Sequence, residues 1–292
     1  MFASQNGDER FFNRHEFKYI INEETAAQVL EAIGPHMKRD RHTNEAANYR
    51  ISSLYFDTTE NLFHEEYLRA ERFRQKLRLR VYNQPTLLDP CFFEIKKKFK
   101  GFVSKRRAKL TLGAAYAWLE GRMATEELCL TFPKEAPIIR EINFLRTHYQ
   151  LEPRVVISYL RQAHVGIFDE TLRVTMDRQL SQRTQSLEPH LQPKLKPGSI
   201  LSERKDFSGD GHGDRPAESV GISHLSSEAP DHLYLPTDRV VLEVKSSGAI
   251  PLWLARTLSR LDCRKQAFSK YSTSYNPPEI NDTGAKTDRR HA

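Results

Sequence analysis

Polar and apolar side chains alternate along residues 75–110, where QKLRLRVYN is followed by a short loop and CFFEIKKKFKGFVSKRRAKL. Arg78 and Arg80 share one face of an extended segment, whereas Leu77 and Leu79 share the other. A period of two is typical of a strand with one buried side, and the Lys-Gly pair near the middle predicts a turn. The pattern therefore predicts three antiparallel strands, the last two joined as a hairpin, with one apolar face and one cationic face.

The same alternation predicts further strands at 14–21, 49–56, 154–163, 171–179 and 238–246. Apolar residues at helical spacing predict amphipathic helices at 22–34, 57–69, 112–123, 136–149 and 251–261. The sequence thus predicts an α+β fold in which helices cover the apolar faces of the strands. If the antiparallel sheet closes, the charged faces line the interior of a barrel. An open sheet with one solvated face is the alternative that the alternation alone leaves open.

Residues 184–236 differ in composition from the rest of the chain. They hold six of the fifteen prolines and five of the thirteen glycines, and they show no periodicity. This composition predicts an exposed, disordered insertion. We therefore expect one domain over residues 12–275, interrupted at 184–236, and a disordered tail over 276–292.

Composition and charge limit the class of protein but do not identify its ligand. The chain has 292 residues and a formal net charge of +7, which suggests an anionic partner. It contains no apolar run long enough for a transmembrane helix, and its first residues lack the apolar region of a secretory signal. An odd number of cysteines without metal-like spacing is typical of reduced thiols. These features lead us to expect a cytoplasmic protein.

The cationic strand faces carry carboxylates among their lysines and arginines. Arginine offers planar, bidentate hydrogen bonds to phosphate oxygens, and lysine offers a point charge. Carboxylates do not hold phosphate directly; they suit Mg²⁺ or Mn²⁺, or they orient the neighbouring cations. The carboxylates in question are Glu16, Glu94, Asp177 and Glu243. No P-loop, dinucleotide-binding or nucleophile-elbow motif occurs, but phosphoryl transfer needs no protein nucleophile.

Nine segments, taken together and in order, resemble the VTC domain, the catalytic domain of the polyphosphate polymerases in vacuolar transporter chaperone complexes. The segments are RHEFKYII, YRISSLYFDT, KLRLRVY, FFEIKKK, SKRR, SYLR, RVTMD, LEVK and FSKYS. The VTC domain belongs to the triphosphate tunnel (CYTH-like) superfamily. The resemblance implies a closed, eight-stranded antiparallel tunnel. It also implies transfer of the γ-phosphate of ATP, or of another nucleoside triphosphate, onto a growing polyphosphate chain with Mn²⁺ or Mg²⁺.

The resemblance also implies roles for individual positions. The residues that match catalytic phosphate ligands are Lys18, Arg78, Arg80, Lys96, Arg161 and Arg173. Those that match further phosphate-binding residues are Lys105, Arg107, Lys245 and Lys270. Glu243 matches the metal ligand, and Glu16, Glu94 and Asp177 are weaker metal candidates.

The chain departs from the larger eukaryotic members of this family, because it shows no SPX regulatory domain and no membrane-spanning segment. We therefore expect a stand-alone, cytoplasmic, bacterial enzyme rather than a vacuolar one. Two alternatives remain: a triphosphate or polyphosphate hydrolase of the same superfamily, and a non-enzymatic polyphosphate-binding module. Few aromatic residues lie among the basic strands, so nucleic acid is not an expected partner. The oligomeric state is left open.

Overall fold

The computed structural model describes residues 15–40, 48–100, 102–200 and 228–277. The strands are β1 (His15–Asn22), β2 (Met37–Arg39), β3 (Tyr49–Asp57), β4 (Phe73–Tyr82), β5 (Pro90–Phe99), β6 (Phe102–Thr111), β7 (Glu152–Gly166), β8 (Arg173–Arg183), β9 (Gln192–Ile200), β10 (Glu228–Leu233) and β11 (Arg239–Ser246). The helices are α1 (Glu23–Ile33), α2 (Leu62–Leu68), α3 (Leu112–Leu119), α4 (Thr125–Thr131), α5 (Ala136–His148), α6 (Leu252–Arg260) and α7 (Lys270–Tyr275). The predicted α+β class is confirmed. Sequence patterns did not indicate β2 and α4, which are short.

The strands form one large sheet in the order β1-β11-β8-β7-β3-β4-β5-β6, and each neighbouring pair on this path is antiparallel. Two apolar clusters lie on the outer face of the sheet. One packs β3 to β6 against α2, α3, α4 and α5, and the other packs β1, β8 and β11 against α1 and α6. The alternating strands therefore bury their apolar face under helices, as predicted.

The sheet does not close, so the predicted closed barrel is wrong. Within the described part of the chain, the hydrogen-bonded path ends at β1 on one side and at β6 on the other. The outer edge of β1 is instead covered by the segment that follows α6. Tyr19 forms a bridge with Lys265, and the Gln266 amide donates to the Lys18 carbonyl at 2.8 Å. This segment takes hydrogen bonds near the middle of the β1 edge, and β6 does not pair with β1.

The sheet nevertheless curves enough to bring distant strands together on its concave face. The Lys96 amine on β5 lies 3.9 Å from a Glu16 carboxylate oxygen on β1. Part of this face is apolar: a third cluster packs residues of β3, β7 and β8 against Phe268 and Tyr271. The charged interior predicted from alternation is therefore confined to part of the concave face.

The segment 184–236, for which composition predicts a disordered insertion, contains a described strand towards each end. β9 and β10 pair in parallel, and β10 also pairs with β8. The Arg183 guanidinium donates to the Asp231 carboxylate at 2.9 Å, and both side chains are buried. Short strands rich in proline give no alternation, so composition alone could not reveal them. Residues 201–227, like most of the predicted tail, lie outside the described residues.

No helix in the described ranges is long and apolar enough to cross a membrane.

Candidate active site

Glu94 on β5 is the centre of the first charged cluster. Its neighbours on β4 and β6 face the same side because the antiparallel register pairs Arg78 and Arg107 with Glu94 itself. Arg78 Nε donates to Oε2 at 2.8 Å, Arg107 Nε donates to Oε1 at 2.9 Å, and Lys105 Nζ lies 2.7 Å from Oε1. Arg80 lies farther away, with a guanidinium nitrogen 3.8 Å from Oε2. One carboxylate thus faces four cations.

The charge on Glu94 is fixed by these neighbours. Burial acts to raise the pKa of Glu94, but Arg78, Arg80, Lys105 and Arg107 outweigh it and hold the pKa well below its usual range. The carboxylate therefore remains ionised and orients the cations around it. Because one negative charge cannot neutralise four positive ones, the cluster favours an additional anion.

Asp177 on β8 is the centre of the second cluster. Arg161 on β7 makes a bidentate pair with it, with both N–O distances 2.7 Å, and Lys270 of α7 approaches to 2.6 Å. Burial acts to raise the pKa of Asp177, and the two cations lower it below the usual value. Tyr159 connects this cluster to the first, because its ring lies under Arg161 and Lys270 and its hydroxyl accepts from Arg80 at 3.4 Å.

The third cluster lies where β1 and β11 pair. Glu16 and Glu243 face the concave side, and the register sets Lys18 opposite Glu243 and Lys245 opposite Glu16. Lys18 Nζ lies 2.8 Å from Glu16, and Lys245 pairs with Glu243 on its own strand. Burial acts to lower the pKa of Lys18, but Glu243 and Glu16 raise it above its usual value, so this amine is charged.

Comparison with known proteins decides the family. The family model for the VTC domain matches residues 13–277. The chain belongs to the VTC domain family.

Several solved structures are similar to the chain over most of its length, at low sequence identity. A Hippeastrum protein named as an adenylyl cyclase candidate with a dominant triphosphatase activity is 12% identical, with a TM-score of 0.46, covering 88% of this chain and 93% of its own. An adenylate cyclase candidate of Bacillus halodurans is 12% identical, with a TM-score of 0.41, covering 87% and 92%. A protein of Pyrococcus horikoshii is 9% identical, with a TM-score of 0.40, covering 90% and 98%. At these scores the likenesses carry no argument about function. No curated protein matched the sequence.

Most of the positions matched to VTC site residues come together on the concave face. Those in the three clusters are Lys18, Arg78, Arg80, Lys96, Lys105, Arg107, Arg161, Lys245 and Lys270. Arg173 lies farther out: it is half exposed and lies 3.6 Å from Asp40. It pairs in register with Lys245, which places it at the rim of the same face.

The carboxylates of this VTC domain differ in their freedom to hold a metal. Glu94 and Asp177 are each occupied by several cations at hydrogen-bond distance, an arrangement that suits orientation of arginine and lysine. Glu16 and Glu243 lie on adjacent strands and are less crowded by cations at hydrogen-bond distance: Glu16 pairs there with Lys18 and Glu243 with Lys245. No group of three or more His, Cys, Asp or Glu side chains able to hold a metal occurs among the described residues. Mg²⁺ needs only one or two protein carboxylates when substrate phosphates and water complete its shell, so Glu16 and Glu243 fit that ion.

Sequence patterns missed several residues of the site. Tyr55 accepts from Arg78 at 2.9 Å, and Ser53 accepts from Arg80 at 3.2 Å. Lys76 alternates in phase with Arg78 and Arg80 and so shares their face, but the VTC resemblance implies no role for it. Ser269 accepts a hydrogen bond from Lys76 at 2.6 Å, a contact across 193 residues that no local pattern could indicate.

Proposed function

We propose that this VTC domain is a metal-dependent polyphosphate polymerase, which transfers the γ-phosphate of ATP onto the end of a polyphosphate chain. The observation that carries the proposal is the concave face itself. Within the described residues, cations clearly outnumber carboxylates there, and the carboxylates hold the cations in fixed orientations. A linear polyanion supplies negative charge along the whole of such a surface.

The arginines of β4 are suited to successive phosphates of one chain. Arg78 and Arg80 are two residues apart on a strand, so their side chains leave the same face about 6.6 Å apart. Glu94 and Tyr55 hold the Arg78 guanidinium, and Ser53 and Tyr159 hold that of Arg80. Side chains held in this way lose little freedom when they bind phosphate.

Glu16 and Glu243 would hold a divalent ion at the edge of the cationic surface. Such an ion supplies charge neutralisation when it bridges carboxylate and phosphate oxygens. Lys18 and Lys96, beside Glu16, are placed to contact phosphate oxygens near that position.

The reaction needs positioning and charge stabilisation more than a protein nucleophile. A terminal oxygen of the polyphosphate chain attacks the γ-phosphorus of ATP, and a new P–O–P linkage forms. The bond between the γ-phosphorus and the β,γ-bridging oxygen breaks, so ADP leaves with that oxygen. The arginines on the concave face stabilise the negative charge that moves onto the bridging and equatorial oxygens.

Incubation of the purified chain with ATP and either Mn²⁺ or Mg²⁺ tests the proposal. We expect ADP and polyphosphate, detected by gel electrophoresis and by ³¹P NMR as internal phosphate signals. Release of free phosphate without polymer would instead establish a hydrolase. Binding of polyphosphate without nucleotide turnover would establish a binding module. A variant in which Lys97, on the opposite face of β5, is replaced by methionine is the matched control, because it removes a cation outside the site.

A further inference from the structure

Lys76 on β4 is a half-buried lysine on the concave face, and its hydrogen-bond partners are uncharged. Its Nζ donates to Ser269 Oγ at 2.6 Å and to Ser272 Oγ at 3.4 Å. It also lies 4.8 Å from the centre of the Tyr67 ring and 5.5 Å from that of Tyr271. Hydroxyls and aromatic rings solvate an ammonium group only in part, so its positive charge is poorly compensated.

The charged and titratable groups that face Lys76 come from five elements. They are Arg74 and Arg78 on β4, Lys96 on β5, Lys18 on β1, His64, Glu66 and Tyr67 on α2, and Tyr271 on α7. Four of them are lysines or arginines. Within the described ranges no carboxylate forms an ion pair with Lys76. The Glu66 carboxylate instead accepts a hydrogen bond from the backbone amide of Gln75 at 3.0 Å.

Lys76 and Lys18 face the same side of the sheet, but their pKa values are shifted in opposite directions. Burial, followed by repulsion from Lys96 and Lys18, lowers the pKa of Lys76 to about 7. The pKa of Lys18 is raised, although burial acts to lower it there too, because Glu243 and Glu16 lie beside it. The difference is the presence of an anion. An anion bound beside Lys76 would therefore raise the pKa of its amine strongly.

We propose that Lys76, with the hydroxyls of Ser269 and Ser272, forms a phosphate-binding subsite that continues the row of Arg80 and Arg78. When a phosphate of a polyphosphate chain occupies the subsite in alkaline solution, Lys76 Nζ takes up a proton. The proton comes from the solvent, and the amine exchanges its hydrogen bond with Ser269 for one to a phosphate oxygen. The spacing supports this arrangement, because Lys76 precedes Arg78 by the same two residues, or about 6.6 Å, that separate Arg78 from Arg80. The subsite rests on the proposed function, since it requires a linear phosphate polymer on the concave face.

Calorimetric titration with inorganic tripolyphosphate tests the subsite. The full chain is titrated between pH 6 and pH 8.5, at each pH in two buffers with different protonation enthalpies, which gives the number of protons taken up on binding. Four proteins are compared: the wild type, Lys76→Arg, Lys76→Met, and Lys97→Met as the control on the opposite face of β5. Arginine remains charged throughout this range, so Lys76→Arg keeps the cation and removes its titration.

The wild type should take up more protons than Lys76→Arg, and the difference should approach one proton per tripolyphosphate at pH 8. The wild-type affinity should match that of Lys76→Arg near pH 6 and fall up to about thirtyfold below it by pH 8.5, since each pH unit above the pKa costs up to a factor of ten. Lys76→Met should bind about tenfold more weakly than the wild type at pH 6, and Lys97→Met should be unchanged. Tripolyphosphate itself and Lys105, whose pKa burial lowers to about 8, titrate in all four proteins and cancel in the comparison.

Equal proton uptake by the wild type and Lys76→Arg would overturn the subsite while leaving the proposed function intact. So would an unchanged affinity of Lys76→Met. If Lys76→Met fails to fold, the comparison with Lys76→Arg still decides. Absence of tripolyphosphate binding by the wild type would instead overturn the proposed function and the subsite with it.

Discussion

Arg80 on β4 is buried, and its hydrogen bonds are accepted by Ser53 on β3 and Tyr159 on β7. Replacement by lysine keeps the charge but loses the planar donor fork, so Arg80→Lys should lower turnover. Arg80→Ala should reduce turnover by about two orders of magnitude if the contact strengthens in the transition state. Steady-state rates with ATP and Mn²⁺, with thermal melts as the fold control, measure both effects. Wild-type turnover in folded Arg80→Ala would remove Arg80 from the site.

Glu243 is the carboxylate that combines burial with a neighbouring carboxylate, Glu16, on the adjacent strand. Glu243→Gln keeps the shape and removes the charge that a divalent ion needs. Turnover should therefore be lost while nucleotide binding is largely retained, as measured by calorimetry with ATP. Unchanged activity at saturating Mn²⁺ would show that Glu243 only orients Lys245.

Glu94 stabilises the fold because its negative charge offsets the positive charges of Arg78, Arg80, Lys105 and Arg107. Removal of one partner from a buried charge cluster costs about 3–5 kcal/mol, so Glu94→Gln should lower the melting temperature substantially. Tripolyphosphate should restore part of the loss, because it supplies the missing negative charge. If the ligand leaves the melting temperature of Glu94→Gln unchanged, the cations do not face a common anion site.

The pH dependence of this stabilisation follows from the direction of the Glu94 pKa shift. The pKa in the folded state lies below its ordinary value, so the contribution is present above that ordinary value and is lost as the pH falls through the folded pKa. Chemical denaturation should therefore show a large difference between the wild type and Glu94→Gln at pH 7. The difference should shrink as the solution becomes strongly acidic.

At the scale of elements, β9 and β10 are held to the sheet by the buried pair of Arg183 and Asp231. The two strands are parallel and Ile200 pairs with Leu233, so the end of β9 lies five residues along the pair from the start of β10, roughly 17 Å away. A linker of about 15 Gly and Ser residues in place of 201–227 spans that distance. We expect this variant to keep its melting temperature and activity.

The matched variant for that deletion is Asp231→Asn, which leaves the Arg183 guanidinium buried without its charged partner. It should lower the free energy of unfolding by about 3 kcal/mol or more. The opposite result would be a 201–227 replacement that no longer folds and an Asp231→Asn variant that is as stable as the wild type. It would show that residues 201–227, and not the pair of Arg183 and Asp231, stabilise the fold.

At the scale of the whole molecule, a net charge of +7 accompanies a concave face that is more cationic than anionic. A ligand that binds only the folded state stabilises it by about 2.7 kcal/mol at a hundredfold excess over its Kd. Tripolyphosphate should therefore raise the melting temperature well beyond the effect of sodium chloride at equal ionic strength. An equal effect of the two salts would indicate general screening rather than a site.

The sequence by itself determined which side chains share a face. Alternation along β4, β5 and β6 assigned Arg78, Glu94 and Lys105 to the charged face of their strands, because a strand has a fixed period of two whatever surrounds it. Helical spacing likewise predicted α1, α5 and α6. The order of nine short segments also predicted the VTC family that the comparison with known proteins then established.

Only the tertiary structure decided how those faces are used. The sheet stays open, Lys265 and Gln266 contact the edge of β1, and Phe268 and Tyr271 pack in the apolar part of the concave face. Contacts such as that of Lys18 with the Phe268 carbonyl, at 3.1 Å, join residues 250 positions apart. Local periodicity carries no information about such pairs, because they depend on how twisted strands and a distant segment pack in three dimensions. The same packing gives the two lysines different surroundings. Lys18 has carboxylates beside it, whereas Lys76 has none in ion-pair contact among the described residues.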